Sequence, residues 1–116
     1  MTRRTERIQD LLRAEISDLI RREVQDPRVG LTTVTDVDVS PDLSHAVVKV
    51  SVLGDDTQRE DAIKGLRHAK GFIRTQLARR MRTRVVPDLV FELDRGAEHS
   101  QRITDLLESL NDDSGS

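Results

Sequence analysis

From Leu31 to Leu53 the chain keeps a rhythm that leaves few folds open. Leu31 to Ser40 reads Leu-Thr-Thr-Val-Thr-Asp-Val-Asp-Val-Ser, and from Ser44 to Leu53 Ala46, Val48, Val50 and Val52 alternate with Val47, Lys49 and Ser51. A period of two is that of a half-buried strand. Pro41-Asp42 between the two runs is turn chemistry, with proline pre-set for the first central position. The pair predicts an antiparallel hairpin with one face buried under helices. On the first strand Thr33, Thr35, Val37 and Val39 would share one face, and Val34, Asp36 and Asp38 the other.

On either side the period lengthens to that of a helix. Ile8, Leu11, Leu12, Ile16, Leu19, Ile20 and Val24 form one apolar stripe, predicting a helix over 5–24 with Thr5 as N-cap and Asp26-Pro27 as its stop. Thr57-Gln58-Arg59-Glu60 has capping-box spacing and opens a second helix, with Ala62, Ile63, Leu66 and Ala69 inward. At Ala69-Lys70-Gly71 the stripe breaks phase and restarts at Ile73, Leu77 and Met81, which predicts a kink joining two helices. Pro87 to Asp94 reads as a third strand with Leu89, Phe91 and Leu93 inward. Gly96 leads into a last helix over 98–110. The expected fold class is α+β, a three-stranded sheet with helices on one face. Residues 1–110 make one domain, and Asn111 to Ser116 an acidic, disordered tail.

A chain of 116 residues is enough for one core without staples, and it has no cysteine to build a disulfide or thiolate metal site. No apolar run approaches a membrane span, and the basic start Arg3, Arg4, Arg7 lacks the apolar stretch of a secretory signal. The expectation is a cytoplasmic monomer with no membrane contact.

The formal net charge of −2 conceals a segregation. Between Ala62 and Pro87 stand Lys64, Arg67, Lys70, Arg74, Arg79, Arg80, Arg82 and Arg84, and no acid interrupts them. Such a one-signed stretch is the footprint of a nucleic-acid binder, whereas a merely solvated helix face interleaves both signs. A helix starting after Gly71 would aim backbone N–H groups and a positive dipole end at a phosphate, with Gly71 allowing close approach. The plainer reading of Gly71 is a kink glycine that packs helix on helix. Arg3, Arg4 and Arg7, at the wrong end of a helix dipole, either meet RNA phosphate or belong to a hydrated arm.

Two aromatics, Phe72 and Phe91, are all the chain has. Phe91 alternates with Leu89 and Leu93 and is expected in the core. Phe72 adjoins the kink and could be core or a stacking surface; the tendency of phenylalanine to be buried favours core. With no stacking platform, and Asp36 and Asp38 on the open sheet face, recognition should rest on phosphates and shape rather than on base sequence. Catalytic motifs are missing: no phosphate loop, no nucleophile elbow, no His-Glu-x-x-His. His45, His68 and His99 lack ligand spacing, so no metal, cofactor or enzyme activity is expected.

The order of elements resembles a type II KH domain, although the Gly-x-x-Gly loop of ordinary KH domains is replaced by Ala69-Lys70-Gly71. With that departure the chain resembles the ribosome-binding factor A family, whose kink is Ala-x-Gly. The likeness runs through Asp26-Pro27-Arg28, Val37 to Leu43, Ala46 to Ser51, Arg74 with Leu77, and Arg84 to Asp94. It implies an RNA-binding assembly factor for the free small (30S) ribosomal subunit, aiding late maturation and 5′-end processing of 16S rRNA and growth in the cold. A KH-like binder with a non-ribosomal target, or a module docking an acidic protein, are the readings to set against it.

Overall fold

The structure, a computed structural model, describes residues 3–82 and 86–96. The expected last helix over 98–110, the tail 111–116 and Arg84 lie outside the described residues.

Helix α1 spans Arg3–Arg22 and buries Leu12, Ile16, Leu19 and Ile20, the inner part of the expected stripe. Thr5 lies inside this helix rather than capping it. The helix ends where the Leu19 carbonyl accepts from both Glu23 N and Val24 N, at 2.8 and 3.1 Å. A 3₁₀ turn, Pro27–Val29, follows; Asp26 caps it by accepting from Arg28 N at 2.9 Å. Its Val29 drops into the core.

Strands β1 (Thr32–Val39) and β2 (His45–Val52) pair antiparallel, and β2 pairs parallel with β3 (Asp88–Leu93), so β2 is central. The hairpin turn is held by the Asp42 carboxylate, which accepts from Ser40 Oγ, Ser44 Oγ and Ser44 N. These bonds, from Ser44 first, hold Asp42 down at about 2.

One expectation for β1 is overturned. The register steps from Val34↔Val50 to Asp36↔Lys49, so Thr35 is an extra, bulged residue. Beyond the bulge the phase slips by one. Val34, Val37 and Val39 pack on the core, while Thr33 is exposed. The Thr35 hydroxyl donates to Asp94 Oδ2 at 2.6 Å and lies 3.2 Å from the Lys49 carbonyl oxygen. Asp36 is exposed, and Asp38 meets Lys49 at 3.7 Å, on the face away from the core.

Helix α2 corrects a second expectation. It runs unbroken over Asp56–Met81, 26 residues or roughly 39 Å at 1.5 Å per residue, where two helices and a kink were expected. Its capping box is Asp55 with Gln58, two residues earlier than the Thr57/Glu60 reading. Ala62, Leu66, Ala69, Ile73 and Leu77 follow one another by four, three, four and four, so a single stripe crosses the supposed break. Ala69 is the link; its small side chain hides the continuity. Gly71 sits on the opposite side, and a Cβ there would have nothing within 4 Å. Gly71 therefore packs no helix against another, and the N–H groups after it belong to a helix interior.

Helices α1 and α2 cover one face of the sheet, around fully buried Leu12, Ile16, Leu66, Ile73, Leu77, Leu89 and Phe91. Each such side chain contributes on the order of 2 kcal/mol by leaving water. Among the described residues no polar or charged side chain is buried.

Candidate nucleic-acid interface

A helix turns about 100° per residue, so the positions opposite the buried stripe of α2 are fixed by it. Lys64, Arg67, Gly71, Arg74, Ala78 and Arg82 succeed one another by three and four residues; Lys64, Arg67, Gly71 and Arg82 are exposed, while Arg74 and Ala78 are half-buried. Two of the six are small. The exposed part of this side is thus bare at Gly71, with cations before and after it.

The cations divide by what holds them. Arg80 falls back onto the inward phase of the helix and is engaged by α1 and the residue after it: its guanidinium reaches Asp18 at 2.7 Å, Glu15 at 3.0 Å and Glu23 at 3.7 Å. That cluster raises the Arg80 pKa, by the bond to Asp18 first, and lowers that of Asp18. Arg74 is partly buried and donates to the Val86 carbonyl at 3.0 Å. Lys70 lies 3.5 Å from Asp88. Arg74 and Lys70 thereby tie α2 to the start of β3. Lys64, Arg67, Arg79 and Arg82 are exposed and form no ion pair among the described residues. Arg82 ends the helix in the left-handed conformation, with φ 52°, its N–H bonded to the Ala78 carbonyl.

Arg3, Arg4 and Arg7 are exposed on the first turns of α1. From Arg7 it is roughly 16 Å along the helix to Asp18, where α1 meets Arg80. Gln9, nearby, accepts from Val39 N at 3.0 Å and fixes this end of α1 to the hairpin.

Sequence reasoning did not anticipate a groove of about 660 Å³ where Lys64 and Arg67 come beside Lys49 and Arg95, over Ile63, Phe91 and Leu93. Lys49 and Arg95 stand 46 residues apart in sequence and outside the basic run, so no local signal could join them. Glu60, Glu92 and Asp94 share the groove and temper its charge. Phe72 was expected in the core; it is 42% exposed, and only Phe91 is buried. Its neighbour Ile73 takes the inward position, which turns Phe72 about 100° aside. Among the described residues no group of His, Asp or Glu could hold a metal ion, and no helix is long and apolar enough to cross a membrane.

The family model of ribosome-binding factor A matches residues 4–107. This chain belongs to the ribosome-binding factor A family. Ribosome-binding factor A of Natranaerobius thermophilus is 48% identical over 108 residues, covering 93% of this chain and 82% of that one. The crystal structure of ribosome-binding factor A from Thermus thermophilus superposes with a TM-score of 0.70 at 31% identity, over 78% of this chain and 97% of that one. A Thermus thermophilus ribosome-binding factor A fitted into the cryo-EM map of a 30S complex is similar too, with a TM-score of 0.64 at 32% identity over 75% of this chain and 91% of that one. The α+β architecture, a three-stranded sheet with α1 and α2, is that of the ribosome-binding factor A structures.

Proposed function

We propose that this protein binds the free small (30S) ribosomal subunit and assists late maturation of 16S rRNA, including processing of its 5′ end, supporting growth in the cold. The observation that carries the reading is the outward side of α2, where Lys64, Arg67 and Arg82 flank the bare Gly71 and form no ion pair among the described residues. A Thermus thermophilus relative is described in a complex with 30S, which points the same way. Phosphates neutralise such a strip, and the bare glycine lets an RNA backbone lie close. The protein works by binding in the cytoplasm as a single copy, with no cofactor and no reaction of its own. It holds a local rRNA arrangement until maturation is complete.

The test is the double substitution Arg79→Glu, Arg82→Glu. Both side chains are exposed, so the fold should survive, read as an unchanged melting curve. Co-sedimentation with small subunits should weaken strongly. The slope of log affinity against log salt should flatten by about 0.7–0.9 for each phosphate that the variant no longer neutralises. Binding equal to the parent at every salt concentration overturns the reading. Displacement by bulk RNA competitor at equal mass would instead favour a non-ribosomal target.

A further inference from the structure

We propose that Phe72 is a stacking surface for one unpaired nucleobase of the bound RNA, in the shallow groove between the end of α1 and the side of α2. The proposal rests on the RNA-binding reading above and adds to it a contact that phosphate chemistry does not provide.

The first observation is exposure. Phe72 leaves 42% of its surface in water, on a chain whose other aromatic is 1% exposed. The ring takes no part in the core: Ile73 beside it holds the inward position. The second is the groove itself, about 810 Å³, lined by Phe72, Ala69, Gly65, His68, Pro27 and Gln25. Its α2 side is apolar or aromatic, and on the facing side Gln25 brings an amide able to donate to and accept from a base edge. Two carboxylates, Asp26 and Glu23, also line it, yet each already faces a cation. Asp26 is 2.6 Å from Arg28 Nη2, and Glu23 is 3.7 Å from Arg80 Nη2.

Phase supplies the third. His68 lies one turn before Phe72 and Arg79 two turns after it, all on the same side of α2. Arg79 is exposed and without an ion pair among the described residues. A ring flanked by an imidazole and a free guanidinium can hold a base on its face while the cation takes the adjoining phosphate. This side is turned from the Lys64–Gly71–Arg82 strip by roughly a quarter turn. A strand crossing the strip can therefore put a base into the groove without leaving the helix. Stacking accepts any base, so the contact asks for an unpaired nucleotide and not for a sequence.

The test uses the full chain. It has no tryptophan, so Phe72→Trp places a single indole at the proposed contact. Emission should be quenched when a short oligoadenylate is added and not when the abasic polymer of equal length is added. In parallel, Phe72→Leu keeps an apolar side chain and should melt like the parent, while its affinity for small subunits falls roughly tenfold. That loss should be the same at every salt concentration, with the slope unchanged, because every phosphate partner is kept. Oligoadenylate binding that leaves the indole emission untouched overturns the proposal, as does a Phe72→Leu protein that binds subunits as the parent does. A parent protein that fails to bind subunits at all sinks the function proposed above instead, so the two failures are told apart.

Discussion

The Arg80 guanidinium donates to the Asp18 carboxylate at 2.7 Å, across 62 residues of sequence and from one helix to the other. With Glu15 on the same nitrogen, this cation from the basic run is spent on holding α1 against α2. Charge-assisted bonds of this kind fix geometry more than they add net stability when water reaches them. Arg80→Met, which keeps the aliphatic stem, should lower the melting midpoint by a few degrees. It should leave the salt slope of subunit binding as in the parent. The pair Arg79→Glu, Arg82→Glu should do the reverse, so melting and salt titration on the two proteins separate structural from RNA-facing cations.

Gly71 and Gly65 lie on the same helix and should respond oppositely to alanine. At Gly71 a Cβ meets nothing within 4 Å, so Gly71→Ala should raise stability by about 0.5–1 kcal/mol through helix propensity alone. At Gly65 the Cβ would stand 3.0 Å from Val29 Cγ1 and 3.2 Å from Asp26 Oδ2. Val29 is buried and Asp26 is held by Arg28, so neither yields freely, and Gly65→Ala should destabilise. Urea unfolding measures both. A longer side chain, Gly71→Gln, should keep the added stability yet weaken subunit binding by standing between the helix and an RNA backbone.

Element type was legible where the pattern was local. The period-two alternation of β2 and the apolar stripe of α1 each needed only a short stretch of chain to declare themselves. The unbroken course of α2 was obscured because Ala69 is too small to register as core and a glycine beside it looks like punctuation. Phase alone would have placed Arg80 inward, since it lies on the same side as Ala62, Leu66 and Ile73. The acids that receive it sit on α1 and just beyond its end, 57 to 65 residues away, and no window along the chain brings them together. Residue type misplaced Phe72: phenylalanine is usually buried, but its helix position points aside. The charge run pointed to α2 as the cationic element; which cations the fold itself consumes is a tertiary fact.

The bulge at Thr35 makes a deletion there compatible with the fold. Removing Thr35 leaves Val34, Val37 and Val39 inward and restores plain alternation against Val50, Val48 and Ala46. The variant should fold with a cooperative urea transition. Its cost is the Thr35–Asp94 bond, about 1 kcal/mol for a part-buried hydroxyl, and Thr35→Val should show the same loss. Deleting Asp38 instead would turn Val39 outward, and that protein should lose its cooperative transition.

Acid should reach the fold through Asp26 as well as Asp42. The Arg28 side chain, then the Arg28 backbone N–H, holds its carboxyl at about 2, against an ordinary 3.8, with His68 adding a weaker attraction. A pKa lowered by folding stabilises the native state fully above the unfolded value, where the group is ionised in both states. As pH falls from about 4 toward 2, the unfolded chain takes the proton first and that stabilisation drains away. Asp26→Asn can still cap Pro27–Val29 through its side-chain oxygen, so the fold at neutral pH should persist with a modestly lower urea midpoint. The variant should then lose less than the parent between pH 4 and pH 2.5, and Asp26→Asn, Asp42→Asn less again, since Asp42 titrates in the same window. Urea midpoints taken across that interval decide it: parallel curves for parent and single variant would mean that the Arg28 contact is not maintained in solution.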